Sequence, residues 1–371
     1  MKKTIAGIVA ALLLTATAQA DELGVGAAAP ISGPQAYFGT TLQNGMRMYF
    51  DEVNAAGGIN GHTFVFHGED DKADPREGTL VAQKFCDDDS IVAVLAHFNS
   101  GVALPALPIY SDCDLPQINI ASNPTITQQG FKHIVRPIAN DFAQAGFPAQ
   151  YARETLKAEK AAVVHDKQAF GQGVAEIFSD NFKKAGGTVT SMSSVNPTDV
   201  DFTALITQLK QQQPDVVYLG AVMPQLALFA KQMKEQGLNA RLITPDGGYT
   251  PDLINQAGKE AAQGVLVSCQ VPPMDSSEAL KKFAASYKEK FGQDAGAYSI
   301  YGYVAAQILG EAVKMAEEPT REGILEVLHN VKFDSALGPI AFTPEGELTT
   351  APIFLYEVKD DGFVLAGKSG T

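Results

Sequence analysis

Hydrophobic positions along the chain switch repeatedly between two spacings. Residues 23–29 form a short run of small apolar side chains that reads as a strand. Leu42, Met46, Tyr49, Phe50 and Val53 then recur three or four apart, the spacing of one helix face, until Ala55-Ala56-Gly57-Gly58 ends the helix. Residues 62–67 read as the second strand. Asp74-Pro75-Arg76-Glu77 supplies an N-cap, a first-turn proline and a capping-box glutamate for the next helix, which carries Leu80, Val81 and Phe85. The third and fourth strands are expected at 91–96 and 115–120.

A second series starts near Asp141, with strands predicted at 161–164, 188–192, 216–219, 242–244 and 265–267. The helices between them carry Val174, Ile177, Phe178 and Phe182, then Phe202, Leu205, Ile206 and Leu209. The tail over 276–330 is expected to add two helices, and 339–342 with 353–357 reads as a hairpin-like or crossover pair. Strands alternating with amphipathic helices make an α/β fold on parallel sheets. A chain of 371 residues exceeds what one hydrophobic core supports, so two domains follow. No Gly/Ser-rich or Pro-rich tether separates the halves, which suits several short crossovers.

The first twenty residues change where such a protein is placed. Lys2 and Lys3 precede an apolar run over 5–14 and then Ala18-Gln19-Ala20, the layout of a cleavable secretory signal with cleavage expected before Asp21. The apolar run is far short of the roughly 20 residues that span a bilayer. Asp21 and not a Cys stands immediately after the cleavage site, so a soluble periplasmic protein without direct membrane insertion is expected. The formal net charge of −14 argues against a nucleic-acid partner. In an oxidising compartment the three cysteines count as one disulfide and one thiol. Cys86 and Cys113 each close a helix that follows neighbouring strands and are the favoured pair, while Cys269 falls in an apolar run that reads as a buried strand. Spacing alone leaves the connectivity open.

Catalytic patterns are missing from the sequence. There is no Gly-x-Ser-x-Gly elbow, no P-loop and no His-Glu-x-x-His, and Gly171-Gln172-Gly173 lacks the third glycine of a dinucleotide fingerprint. The six histidines are scattered, and His62 and His67, five apart on one strand, face opposite sides. Neither an enzyme, a metal site nor a cofactor is expected.

Several stretches together carry a resemblance: Ile31-Ser32-Gly33-Pro34, the run from Val53 through Gly57-Gly58 to Asn60-Gly61, Asp70-Asp71 before Ala73-Asp74-Pro75, and His165-Asp166-Lys167-Gln168 before Phe170-Gly171-Gln172-Gly173. With Asp201-Phe202, Pro214-Asp215 and Leu337-Gly338-Pro339-Ile340, the chain resembles the periplasmic branched-chain amino-acid binding proteins of ABC importers over nearly its whole mature length. The resemblance implies a type 1 periplasmic-binding fold: two doubly wound parallel-sheet lobes joined by three crossovers, closing about a hinge on a ligand. The first lobe would comprise 21–141 and about 272–346, the second 142–271 and about 347–371. It also implies a small amino acid as ligand, a membrane permease as partner and a monomer.

An amino-acid zwitterion needs donors for its carboxylate, acceptors for its ammonium and a shaped wall. Ser100, in His97-Phe98-Asn99-Ser100-Gly101 beyond a strand end and at a helix start, is placed for the carboxylate; its other reading is a helix N-cap. Where the family uses a backbone carbonyl and a hydroxyl residue, the resemblance puts Ala121 and Asn123, the asparagine in place of the hydroxyl. Asp246, in Thr244-Pro245-Asp246-Gly247-Gly248, stands in for the family's acidic partner of the ammonium, with a turn residue as its other reading. The side-chain wall maps onto Phe38, Phe98, Asn99, Phe170, Val222 and Tyr298. Its aromatics favour alanine, valine, proline or another compact amino acid over leucine. Two alternatives keep the same fold: another compact solute such as an amide or a 4-amino acid, and a role as ligand-sensing partner of a membrane receptor.

Overall fold

The computed structural model describes residues 21–370. The predicted signal segment lies outside them. The first sheet consists of β1 (Asp21–Ala29), β2 (His62–Asp70), β3 (Ile91–Ala96), β4 (Gln117–Ile118) and β5 (Ile134–Val135), parallel throughout in the order β2-β1-β3-β4-β5. It is connected by α1 (Ala36–Ala55), α2 (Pro75–Cys86), α3 (Ser100–Asp112) and α4 (Thr125–Gln128). Asp74 caps α2 as its sequence predicts, accepting from the amides of Arg76 at 2.7 Å and Glu77 at 3.3 Å.

After β5 the chain crosses to a second lobe: α5 (Asp141–Glu154), β6 (Lys160–His165), α6 (Ala169–Lys184), β7 (Thr188–Ser194), α7 (Thr203–Gln212), β8 (Val216–Gly220), α8 (Gln225–Glu235), β9 (Arg241–Thr244), α9 (Pro251–Ala257), α10 (Lys259–Ala262) and β10 (Leu266–Cys269). It then returns to the first lobe for α11 (Glu278–Phe291), α12 (Ala297–Met315), α13 (Arg321–Leu328) and the ribbon β11 (Phe333–Ser335) with β12 (Gly338–Ile340). A third crossing delivers β13 (Phe354–Lys359) and β14 (Gly362–Lys368), antiparallel additions that extend the second sheet to the order β14-β13-β10-β9-β8-β6-β7.

Two contacts fix the first lobe. Helices α1 and α12 lie against each other, and a Cβ on Gly45 would sit 1.9 Å from the Ser299 carbonyl oxygen, one on Gly302 2.0 Å from that of Leu42. Only glycine allows that approach, and it brings Phe38 of α1 beside Tyr298 of α12, ring centroids 4.9 Å apart. At the other end Cys86 and Cys113 form the disulfide, leaving Cys269 as a buried thiol on β10. Arg321, at the start of α13, covers the same helix ends: its guanidinium donates to the carbonyls of Phe85, Cys86, Asp88, Ile91 and Cys113 at 2.8–3.3 Å.

Three expectations need correction. The fourth strand is limited to Gln117 and Ile118, because the Asn119 side chain accepts the Ala121 amide at 2.7 Å and turns the chain out of the ladder. The tail holds three helices, since Thr320 starts a new one by accepting the Gly323 amide at 3.2 Å. The apolar runs at 339–342 and 353–357 do not pair; β12 pairs with β11 in one lobe, and β13 pairs with β10 and β14 in the other. The short β5 and the Gly- and Lys-containing β14 carry too weak a pattern to be read beforehand.

Candidate functional site

The loops beyond the carboxyl ends of β3, β4, β8 and β9 converge where the two lobes face each other, the usual binding place in open α/β sheets. They enclose a cavity of about 30 Å³ lined by Phe98, Asn99, Ser100, Ile120, Ser122 and Ile138 on one side and Phe170, Val222, Asp246 and Gly247 on the other, with Tyr298 and Tyr301 of α12 completing it. That volume is room for roughly two waters, so the lobes meet over a compact space. Phe38 stands behind this wall: it stacks on Phe98 with centroids 5.3 Å apart, and Phe98 meets Tyr298 edge-on at 5.1 Å. The Tyr298 hydroxyl is buried with no protein partner.

The loop carrying Phe98, Asn99 and Ser100 is held from beneath. His97 is buried, with Nδ1 2.9 Å from Asp71 Oδ2 and Nε2 3.1 Å from the Tyr110 hydroxyl. Asn99 occupies the N-cap position of α3 and Ser100 is its first residue, so Ser100 is not the cap. Its hydroxyl accepts the Asn123 amide at 3.3 Å and faces the cavity at the positive end of α3.

Beyond β4 the phase differs by one residue from the one read out of the sequence. In extended backbone alternate residues share a face, and here Ile120 and Ser122 line the cavity while Ala121 and Asn123 do not. The carbonyls of Ala121 and Asn123 are taken by Arg136 at 3.0 and 2.9 Å. The Asn123 side chain is committed as well: Oδ1 accepts the Thr125 amide, and Nδ2 donates across the cleft to the Ala169 carbonyl at 2.9 Å. Asn123 therefore joins the lobes instead of lining the cavity. The sequence run Ile120-Ala121-Ser122-Asn123 has no alternation of apolar and polar residues from which its phase could be found.

On the second lobe Asp246 opens a single helical turn after β9, and its amide donates to Gln144 Oε1 at 3.1 Å. Gln144 in turn donates to Asp141 Oδ1 at 3.1 Å. Burial first, and then the Asp141 charge, pushes the Asp246 carboxyl up to about 7. Burial also raises Asp141, to about 6, against hydrogen bonds from Ser122 and Gln144 and the nearby Arg136 guanidinium. Asp246 is thus a buried carboxylate with no salt-bridging cation among the described residues, a position that calls for a positive charge. No group of three or more His, Cys, Asp or Glu side chains able to hold a metal occurs among the described residues, and none of their helices is long and apolar enough to cross a membrane.

The two-lobed α/β fold is shared with solved structures. Residues 22–363 match the model of the periplasmic binding protein family. The chain belongs to that family. The Leu/Ile/Val-binding protein homolog 1 of Brucella melitensis is 35% identical over 355 residues, 94% of each chain. The leucine-specific-binding protein of Salmonella typhimurium is 32% identical over 362 residues, 97% of each chain. The crystal structure of a leucine-binding protein from Thermotoga maritima superposes with a TM-score of 0.87 at 26% identity, covering 93% of this chain and 98% of that one. This periplasmic binding protein thus has the type 1 fold expected from its sequence, and it is a solute-binding protein and not an enzyme.

Proposed function

We propose that the protein captures a compact L-amino acid, small or branched aliphatic, in the inter-lobe cleft and delivers it to the permease of an ABC importer. It reaches the periplasm through the signal segment, cleaved before Asp21. The lobes divide near 141, 272 and 346, and the protein acts as a monomer. The observation that carries the ligand class is Asp246, buried in the cavity wall without a cation and opposite the α3 start at Ser100. The ligand ammonium neutralises Asp246. The ligand carboxylate takes the Ser100 and Ser122 hydroxyls and the amides at the start of α3, a ready anion site. Phe98, Asn99, Phe170, Val222 and Tyr298 bound the side chain, and Phe38 holds Phe98 from behind. The names of the two relatives support an aliphatic amino acid, and the narrow cavity favours alanine, valine or proline over leucine.

Thermal unfolding of protein stripped of co-purified solute and refolded tests this against each amino acid in turn. A ligand at ~100 times its Kd stabilises by about 2.7 kcal/mol. A shift with alanine, valine or proline and little with leucine is expected. A larger shift with leucine overturns the compact-ligand part, and no shift with any amino acid overturns the ligand class.

A further inference from the structure

Arg136 is the largest wholly buried side chain among the described residues, and it lies outside the cavity. It follows β5 at the start of the first crossing between lobes. All five of its side-chain N–H donors are used: Nε donates to Glu347 Oε2 at 3.1 Å, Nη1 to the carbonyls of Ala121 and Asn123, and Nη2 to Thr127 Oγ1 at 3.0 Å and to Glu347 Oε1. Its backbone amide donates to the Gly346 carbonyl at 2.7 Å. Gly346 has φ +83°, and a Cβ there would meet the Ile134 carbonyl at 2.3 Å, so the turn bearing Glu347 is pressed onto β5 as only glycine permits.

Two of these contacts bracket a single residue. The carbonyls gripped by Nη1 belong to the residues on either side of Ser122, while the Ser122 carbonyl itself accepts the Asp141 amide at 3.0 Å. Three consecutive peptide groups are thereby fixed in an extended segment that has left the sheet and has no ladder to hold it. With the flanking carbonyls turned to Arg136, the Ser122 side chain is on the cavity face. The other end of the same guanidinium holds Glu347, which lies in the third crossing, between β12 and β13.

We propose that Arg136 is a positioning residue for ligand binding: it aims Ser122 into the cleft and ties that aim, through Glu347, to the crossings on which the lobes move. The inference rests on the reading of Ser122 as a ligand contact. A lysine keeps the charge and its attraction to Glu347 but lacks the planar fork that spans two carbonyls.

Arg136→Lys therefore releases the 121–123 segment while retaining the ion pair. Its crystal structure is expected to show the Ser122 hydroxyl turned away from the cavity; a segment that superposes on the native one overturns the proposal whatever the ligand proves to be. Titration with L-alanine, L-valine and L-leucine gives the second readout. Arg136→Lys is expected to weaken the tightest of the three at least tenfold, and adding Ser122→Ala to it to cost less than twofold more. Equal, multiplicative losses from the two changes place Arg136 outside the ligand's influence and overturn the proposal. Should none of the three bind the native protein, the amino-acid reading fails and the crystal structure alone decides the role of Arg136. Glu347→Gln leaves one oxygen to accept where the carboxylate has two and turns an amide NH2 toward the guanidinium, so Ser122 is expected to lose its orientation as in Arg136→Lys; an unchanged Ser122 in this variant overturns the tie through Glu347.

Discussion

Protonation of Asp246 should control how tightly an amino acid is held. Burial in the cleft, and then the Asp141 charge, carries its carboxyl from the ordinary 3.8 to about 7, an ionisation penalty on the order of 4 kcal/mol. An acid raised by folding binds a proton more strongly in the closed protein than in the unfolded chain. Its contribution to stability is therefore complete below 3.8 and is lost as pH rises through about 7. Above that pH the empty closed cleft carries an unmatched charge, and a ligand ammonium takes the place of the proton. Below it the ammonium must displace the proton, and affinity should fall by up to about tenfold per pH unit. The groups facing Asp246 are Asp141, Tyr218, Tyr298, Tyr301 and Cys269, with Arg136 and Glu347 acting on Asp141. Asp141, pushed up to about 6, titrates in the same window. Calorimetric titration of native protein and Asp246→Asn with L-alanine and L-valine between pH 8.5 and 5.5, in buffers of contrasting ionisation enthalpy, measures affinity and protons together. Native protein should release protons on binding near neutrality and weaken toward low pH. Asp246→Asn should bind more weakly by about 2–5 kcal/mol, with a flatter profile. A dissociation constant independent of pH in the native protein, or an equal slope in the variant, refutes the charge argument.

Other changes address separate parts of the structure. Phe98→Leu removes one ring of the stacked wall and should shift preference toward leucine by about 1–3 kcal/mol, measured as the ratio of leucine to alanine dissociation constants. Asn123→Ala deletes the hydrogen bond to the Ala169 carbonyl and should weaken ligand binding by about 1 kcal/mol, expressed as faster dissociation in stopped-flow displacement. Reducing the Cys86–Cys113 disulfide, whose partners are 27 residues apart, should lower stability by about 3–4 kcal/mol, read by denaturant unfolding with and without reductant.

The parts of the fold that repeat a period were legible in advance. The apolar stripe of α1, the cap of α2 and the small-residue β1 each state their own structure, and the order of strands and helices was enough for two parallel lobes. Ser100 could be found because the ends of strands in such lobes are where ligands collect, and Asp246 because the resemblance puts the family's acidic residue there; both face the cavity. Ser122 escaped because nothing within residues 120–123 sets their phase; that is set by Arg136, at least 13 residues further on. Tyr301 and Ile138 escaped for a related reason. One is a buried residue on a helix that is apolar nearly all round, the other lies in a crossing, and neither differs in sequence from ordinary core. The edge strand β14 was unreadable since Gly362, Gly367 and Lys368 weaken its pattern, and its place comes from β13 beside it.

Arg321 and the disulfide act on the same joint. One covalent bond and one guanidinium both hold the ends of α2 and α3 together, and they arrive at different times, the first needing an oxidant and the second only the return of α13 to the sheet. The joint is thus doubly secured against opposite threats, since reductant spares the arginine and unfolding of α13 spares the disulfide. Sequence drift at either position should be tolerated while the other is intact, so a lineage can lose the cysteines or the arginine, but losing both in succession frees the far end of the lobe from which the α3 loop is aimed at the cleft.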